Sequence, residues 1–200
     1  METYEIELVL IEEMLGTVPK DKEIYKNFIA SKAPKPEEAE IEIETIMEEE
    51  KGWTGFHTVN GKPIIYDYVL KGFFKDACSM LTRVDKKNKQ KNLSCQLRAF
   101  KKVIDGLVFI KPRKISIDLC GGEIGVNERP LRVPTPQGER VCLVRSDTVP
   151  AGSKLNFKII IPGEVTEELL REWLDYGQLR GLGQWRNGGF GSFNYTMTRC

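Results

Sequence analysis

The sequence predicts an α+β fold: an antiparallel sheet with helices on one face. Three observations predict it. Tyr4, Ile6, Leu8 and Leu10 alternate with acids and other residues, the period of a strand with one buried face. Leu70, Phe73, Phe74, Ala77 and Leu81 recur at helical spacing. Along the chain the patterns run strand, helices, strands, helix, strand, an order that pairs strands with covering helices.

Taken in order, residues 4–11 form the first strand. A helix begun at residues 21–29 is broken by Pro34 and Pro36, because each proline disfavours the α region in the residue before it. From Asp67, a plausible cap, the amphipathic stripe marks the first long helix. Leu93, Leu97, Phe100 and Ile104 predict a second, closed by Gly106. Apolar runs at residues 107–110 and 115–119 read as strands, followed by a Gly- and Pro-rich interval over 121–138 and further strands at 141–144 and 155–161. Thr166 caps a last helix whose Glu167 and Glu168 suit the positive end of its dipole. Val165 and Leu170 are spaced as a hydrophobic staple, and Leu169, Leu170, Trp173 and Leu174 form the buried face up to Gly177. Residues 190–197 alternate as a closing strand.

Two hundred residues, 40% hydrophobic and 30% charged, describe one soluble domain. No apolar run approaches the ~20 residues that cross a bilayer, and the alternating start is not a secretory signal, so a cytoplasmic protein with no membrane partner is expected. Five widely spaced cysteines without a CxxC pair, and a single histidine, argue against a disulfide framework or a metal site. The net charge of +1 conceals a division. Residues 37–50 hold eight Glu and no other charge, which leaves 30 basic against 21 acidic residues elsewhere. That run is either a solvated face or an acidic, partner-facing arm.

The most specific local pattern is residues 181–191, where five of eleven residues are glycine. Glycine admits positive φ and close backbone approach, and amides in such a turn can form an anion nest. Arg180 and Arg186 offer cations and Trp185 a stacking face, although a tight helix-to-strand connection without a ligand fits the spacing equally well. A dinucleotide fingerprint fails because these glycines follow a helix and precede a strand. Lys71 and Gly72, near a helix N-terminus, are a second candidate for phosphate, against an ordinary amphipathic helix with a surface lysine. Residues 83–102 carry eight basic side chains and one Asp before residue 103, either a polyanion contact or a solvated loop. His57, in Trp53-Thr54-Gly55-Phe56-His57, is the one general acid/base suited to neutral pH, with no catalytic partner identifiable by spacing.

Four segments together resemble the RAMP superfamily of CRISPR-Cas RNA-binding proteins, especially the backbone subunits that line a guide RNA. Residues 4–11 are similar to its first strand, and residues 62–72 (KPIIYDYVLKG) to its P-x-I-P-G-S-S-L-K-G helix entry. Residues 149–157 (VPAGSKLNF) are similar to its P-A-G-S/T-x-F lead into a core strand, and residues 181–191 to its glycine-rich loop. The resemblance implies a ferredoxin-like (RRM-like) β-α-β-β-α-β antiparallel sheet in a single domain, 1–200. Insertions fall at about 30–60, which is acidic, and at 121–138, which is thumb-like. It implies a non-catalytic subunit holding single-stranded guide RNA, with other Cas subunits or copies of itself as partners and no cofactor or metal. RNA contacts would come from Lys71, Gly72, Arg129, Arg132, Arg180, Gly181, Gly183, Trp185, Arg186, Gly188, Gly189 and Gly191. The chain departs from the family where Tyr66-Asp67-Tyr68-Val69 replaces the small Gly-Ser-Ser turn: a phosphate is kept at a distance and Asp67 repels it. Two other functions stay open, a metal-independent endoribonuclease using His57 and a relative that docks on a CRISPR complex as regulator or decoy.

Overall fold

The computed structural model describes residues 1–20, 53–84, 92–135 and 138–200. The expected helix at 21–29, the acidic run 37–50 and part of the basic stretch 83–102 lie outside them. The first elements are β1 (Glu2–Leu10), β2 (Met14–Leu15), β3 (Val18–Pro19), β4 (Trp53–Gly55), β5 (His57–Val59), β6 (Lys62–Tyr66) and α1 (Asp67–Val84). A 3₁₀ turn (Leu93–Gln96), α2 (Phe100–Leu107), β7 (Phe109–Lys111) and β8 (Lys114–Asp118) follow. The chain closes with β9 (Gly125–Thr135), β10 (Gly138–Val149), β11 (Lys154–Ile161), α3 (Glu167–Arg180), a 3₁₀ turn (Arg186–Gly188) and β12 (Phe193–Arg199).

The larger sheet has seven strands in the order β12-β1-β11-β8-β6-β5, with β7 also paired to β11. Every pairing in it is antiparallel. Alternation in β1 decides which face is dry: Tyr4, Ile6, Leu8 and Leu10 are buried, while Glu5 on the other face is exposed and pairs with Lys158. α1 and α3 cover the dry face. Leu70, Phe73, Phe74 and Ala77 of α1 meet Leu169, Leu170, Trp173 and Leu174 of α3 in one core, and Phe74 tilts against Trp173 at 5.5 Å. Each such side chain contributes about 1.5–3 kcal/mol by leaving water.

Sequence signals set the helix ends unevenly. Thr166 Oγ1 accepts from the Leu169 amide at 3.3 Å, and Val165 and Leu170 are both buried, as cap and staple require. Gly177 does not end α3, which continues to Arg180. It is glycine for another reason: a Cβ there would strike the rings of Phe193 and Phe73. The pattern from Leu93 to Ile104 is also two elements instead of one helix, because Ala99 takes the left-handed conformation at φ 50° and Gly106 sits inside α2. The 3₁₀ turn is held from outside: Glu172 of α3 accepts from the amides of Leu93 and Ser94 and from Ser94 Oγ, while Trp173 Nε1 donates to Ser94 Oγ.

A second, five-stranded sheet has the order β2-β10-β4-β3. β9 and β10 form a long antiparallel hairpin, from Gly125↔Thr148 to Thr135↔Gly138, which takes up most of the interval read as Gly- and Pro-rich. β4 joins β10 in parallel, Arg145↔Trp53 and Ser146↔Thr54. Asp147, 8% exposed, locks this junction by accepting from Lys20 Nζ at 2.7 Å and Trp53 Nε1 at 2.8 Å. The result is an α+β protein with three α-helices among the described residues and two sheets.

Candidate nucleic-acid interface

Residues 181–191 leave α3 and return to β12 through a loop that is glycine for packing. Gly181, Gly183 and Gly191 have φ of 75°, 84° and 75°, where a side chain strains the backbone. Their missing Cβ atoms would meet the Phe190, Leu15 and Leu182 carbonyl oxygens respectively. The amides are spent inside the protein: Gly181 donates to Gly177 O, Gly188 to Trp185 O, Gly189 to Arg186 O and Gly191 to Glu13 O. These four do not form the anion nest that composition suggests. The tight loop presents side chains instead. Trp185 is 46% exposed at φ 49°, stacked on Phe190 at 5.0 Å with Gly188 beneath its ring.

Across from Trp185 lies Arg129 of β9. Its guanidinium sits 4.6 Å from the indole centroid, and its Nη2 donates to Gln184 Oε1 at 3.5 Å. Its Nη1 is buried with no hydrogen-bond partner among the described residues, and burial pulls its pKa below the ordinary arginine value. Gln184 Oε1 also lies 3.5 Å from Thr54 Oγ1 and Ser146 Oγ, so it ties the loop to β4 and β10. Sequence reasoning missed Gln184, because one amide in a glycine run carries no periodic or charge signal.

The other cations divide. Arg180 and Arg186 converge on one carboxylate oxygen, Asp76 Oδ2 of α1, at 3.4 and 2.9 Å, and Arg180 also bonds Asn187 Oδ1. Two arginines sharing one aspartate leave a single net charge at the loop. Lys71 turns to α2 and β7, donating to the Asp105 carbonyl at 3.0 Å beneath the Phe109 ring. Lys71 and Gly72 lie a full turn inside α1, and the Asp67 amide at the start of that helix is engaged by Arg113 O. Arg132, three residues from Arg129 along β9, belongs to the opposite face of the hairpin and is exposed. The structure therefore joins Arg129, Trp185 and Gln184, sets Arg180 and Arg186 beside them on Asp76, and sends Lys71 and Arg132 elsewhere.

Leu182 and Gly183 form one wall of a cleft of about 710 Å³, which runs to the helix entry past Met14, Phe56, His57, Tyr66 and Tyr68. The His57 ring stands edge-on to Tyr66 at 5.0 Å, and Tyr66 stacks on Tyr68 at 5.4 Å and 12°. Burial lowers the His57 pKa, which favours the neutral ring. No charged side chain is among the described residues lining the cleft. No cluster of metal-ligating side chains occurs among the described residues, and no helix there is long and apolar enough to cross a membrane.

No protein-family model and no curated protein matches the sequence. The structure is similar to a chain in the cryo-EM structure of the Type III-B Cmr-beta complex bound to cognate target RNA. That likeness has TM-score 0.55 at 11% identity and covers 99% of this chain but 60% of the other, so this chain spans about three fifths of that protein's length. A chain of a Type IV-B CRISPR complex is similar at TM-score 0.48 and 10% identity, over 98% of this chain and 90% of that one. At such identities the Cmr-beta likeness is one of fold.

Proposed function

We propose that this chain is a non-catalytic RNA-binding subunit of a CRISPR-Cas-like ribonucleoprotein, holding single-stranded guide RNA beside other Cas subunits or copies of itself. The order β12-β1-β11-β8, with α1 lying between β1 and β8 in the chain and α3 between β11 and β12, supports the ferredoxin-like reading of the domain. The fold shared with a chain of an RNA-bound Cmr complex is consistent with it. One observation carries the reading: a buried arginine nitrogen without an acceptor among the described residues, beside a half-exposed tryptophan, where the hairpin meets the glycine-rich loop. A buried donor left unsatisfied costs about 1–3 kcal/mol, which is recovered when the Arg129 guanidinium shifts off the Trp185 ring to reach an RNA oxygen. A base stacking on Trp185 adds about 1–3 kcal/mol without sequence preference.

In this reading the center is Arg129, Gln184 and Trp185, with Arg180 and Arg186 flanking it. Gly181, Gly183 and Gly191 hold the loop's shape, while Gly188 leaves room for the Trp185 ring and Gly189 takes a left-handed φ of 88°. The endoribonuclease alternative draws less support, since the described residues that line the cleft beside His57 include no cation to hold a scissile phosphate. The test is a gel shift of single-stranded RNA over a salt series with the parent and the Arg129→Ala/Trp185→Ala double variant. The parent binds with an affinity that falls with salt. The variant loses about ten- to a hundredfold, and its salt slope shrinks by about one. Equal binding by the two proteins at every salt level would remove the proposed site.

A further inference from the structure

The aromatic cleft at the entry to α1 is not used by the Arg129–Trp185 site, and its lining is wrong for phosphate. It holds no charged side chain among the described residues, and Asp67 stands at the first position of the adjoining helix. We propose that the cleft is a nucleobase slot, in which a base stacks against the Tyr66–Tyr68 pair with the imidazole of His57 on its flank. The ligand class rests on the RNA reading above, through continuity: Leu182 and Gly183 wall the cleft, and Gln184 and Trp185, the next two residues, carry the other site.

Three features fit a base better than a phosphate or a bare apolar group. The Tyr66 and Tyr68 rings stack on each other with planes nearly parallel at 12°, so a base extends that stack from an outer face, and Tyr68 is 55% exposed. The Thr17 residue and the His57 ring place hydrogen-bonding groups along an otherwise apolar wall, the few-polar-groups pattern of ligand pockets. The volume, about 710 Å³, accommodates a purine with its sugar.

His57 is the single histidine of the chain, so its ring protons are a unique reporter when the protein is prepared without a histidine tag. The experiment adds adenosine, and separately ribose 5-phosphate, while proton NMR follows that ring. The expected result is saturable movement of the His57 signals by adenosine and none by ribose 5-phosphate. Tyr68→Ala weakens adenosine binding about tenfold or more, as loss of a stacking face does, and Tyr68→Phe stays within about twofold. Tyr68 is exposed, so both variants keep the core. His57 signals unmoved by adenosine, or moved equally by ribose 5-phosphate, overturn the slot. A gel shift in parallel separates the two ideas. RNA bound with adenosine silent sinks the slot alone; adenosine bound with RNA ignored leaves a nucleoside site and ends the RNA-path reading.

Discussion

Asp76 decides how much positive charge the glycine-rich loop offers. Its single oxygen holds Arg180 and Arg186, all three side chains being about a quarter exposed at 23–26%. Partly screened pairs of this kind contribute modestly, about 1 kcal/mol or less each. Asp76→Asn therefore has opposed effects. It removes the carboxylate that fixes both guanidiniums, and the urea midpoint falls by an amount corresponding to about 1 kcal/mol. It also frees one unit of charge at the proposed RNA path, so RNA binds several-fold tighter at low salt and the advantage shrinks as salt rises. A variant that binds RNA no better than the parent at low salt would show that these arginines only join loop to helix. Two cations read as RNA ligands from composition are, in the fold, first of all partners of a residue that drew no notice in the sequence.

Gly177 makes the same point for α3. Helix propensity alone predicts that Gly177→Ala stabilises by about 1 kcal/mol. The Phe73 Cζ lies 2.5 Å from where the new Cβ would stand, and Phe193 presses from β12. Overpacking against two core rings costs about 1–3 kcal/mol. Since both rings are buried with little room to swing, packing wins, and the variant unfolds at lower denaturant than the parent; a midpoint above the parent's would overturn this account. The glycine that looked like a stop signal is a contact point. Elements with strong periodicity were readable: β1, α1 and the first turns of α3 carry their buried faces in their spacing. The second sheet was not, because β2 and β3 are two residues long and β4 meets β10 in parallel across about ninety residues. The proposed site was half readable. Trp185 stood out as a stacking ring and Arg129 entered only through the family resemblance, but only the fold puts them 4.6 Å apart, and nothing local announces that Lys71 and Arg132 point away.

Charge over the entire chain poses the remaining question. A net +1 gives little long-range pull toward RNA, yet eight of the 29 acidic residues are packed into residues 37–50. Replacing those eight Glu by Gln raises the net charge from +1 to +9 and leaves Arg129, Trp185 and the residues of the cleft unsubstituted. Fields of that size act through encounter: they raise the association rate by about tenfold or more at low ionic strength and leave the contact itself unchanged. Screening sets the range, with a Debye length of about 10 Å at 0.1 M salt and about 3 Å at 1 M. The expected result in stopped-flow binding to single-stranded RNA is therefore faster association of the Gln variant at low salt, converging on the parent at high salt. Dissociation rates should match throughout. A dissociation rate that changes with the substitutions would mean instead that the acidic run touches the bound RNA or competes for its seat, and the acid would then belong to the binding machinery.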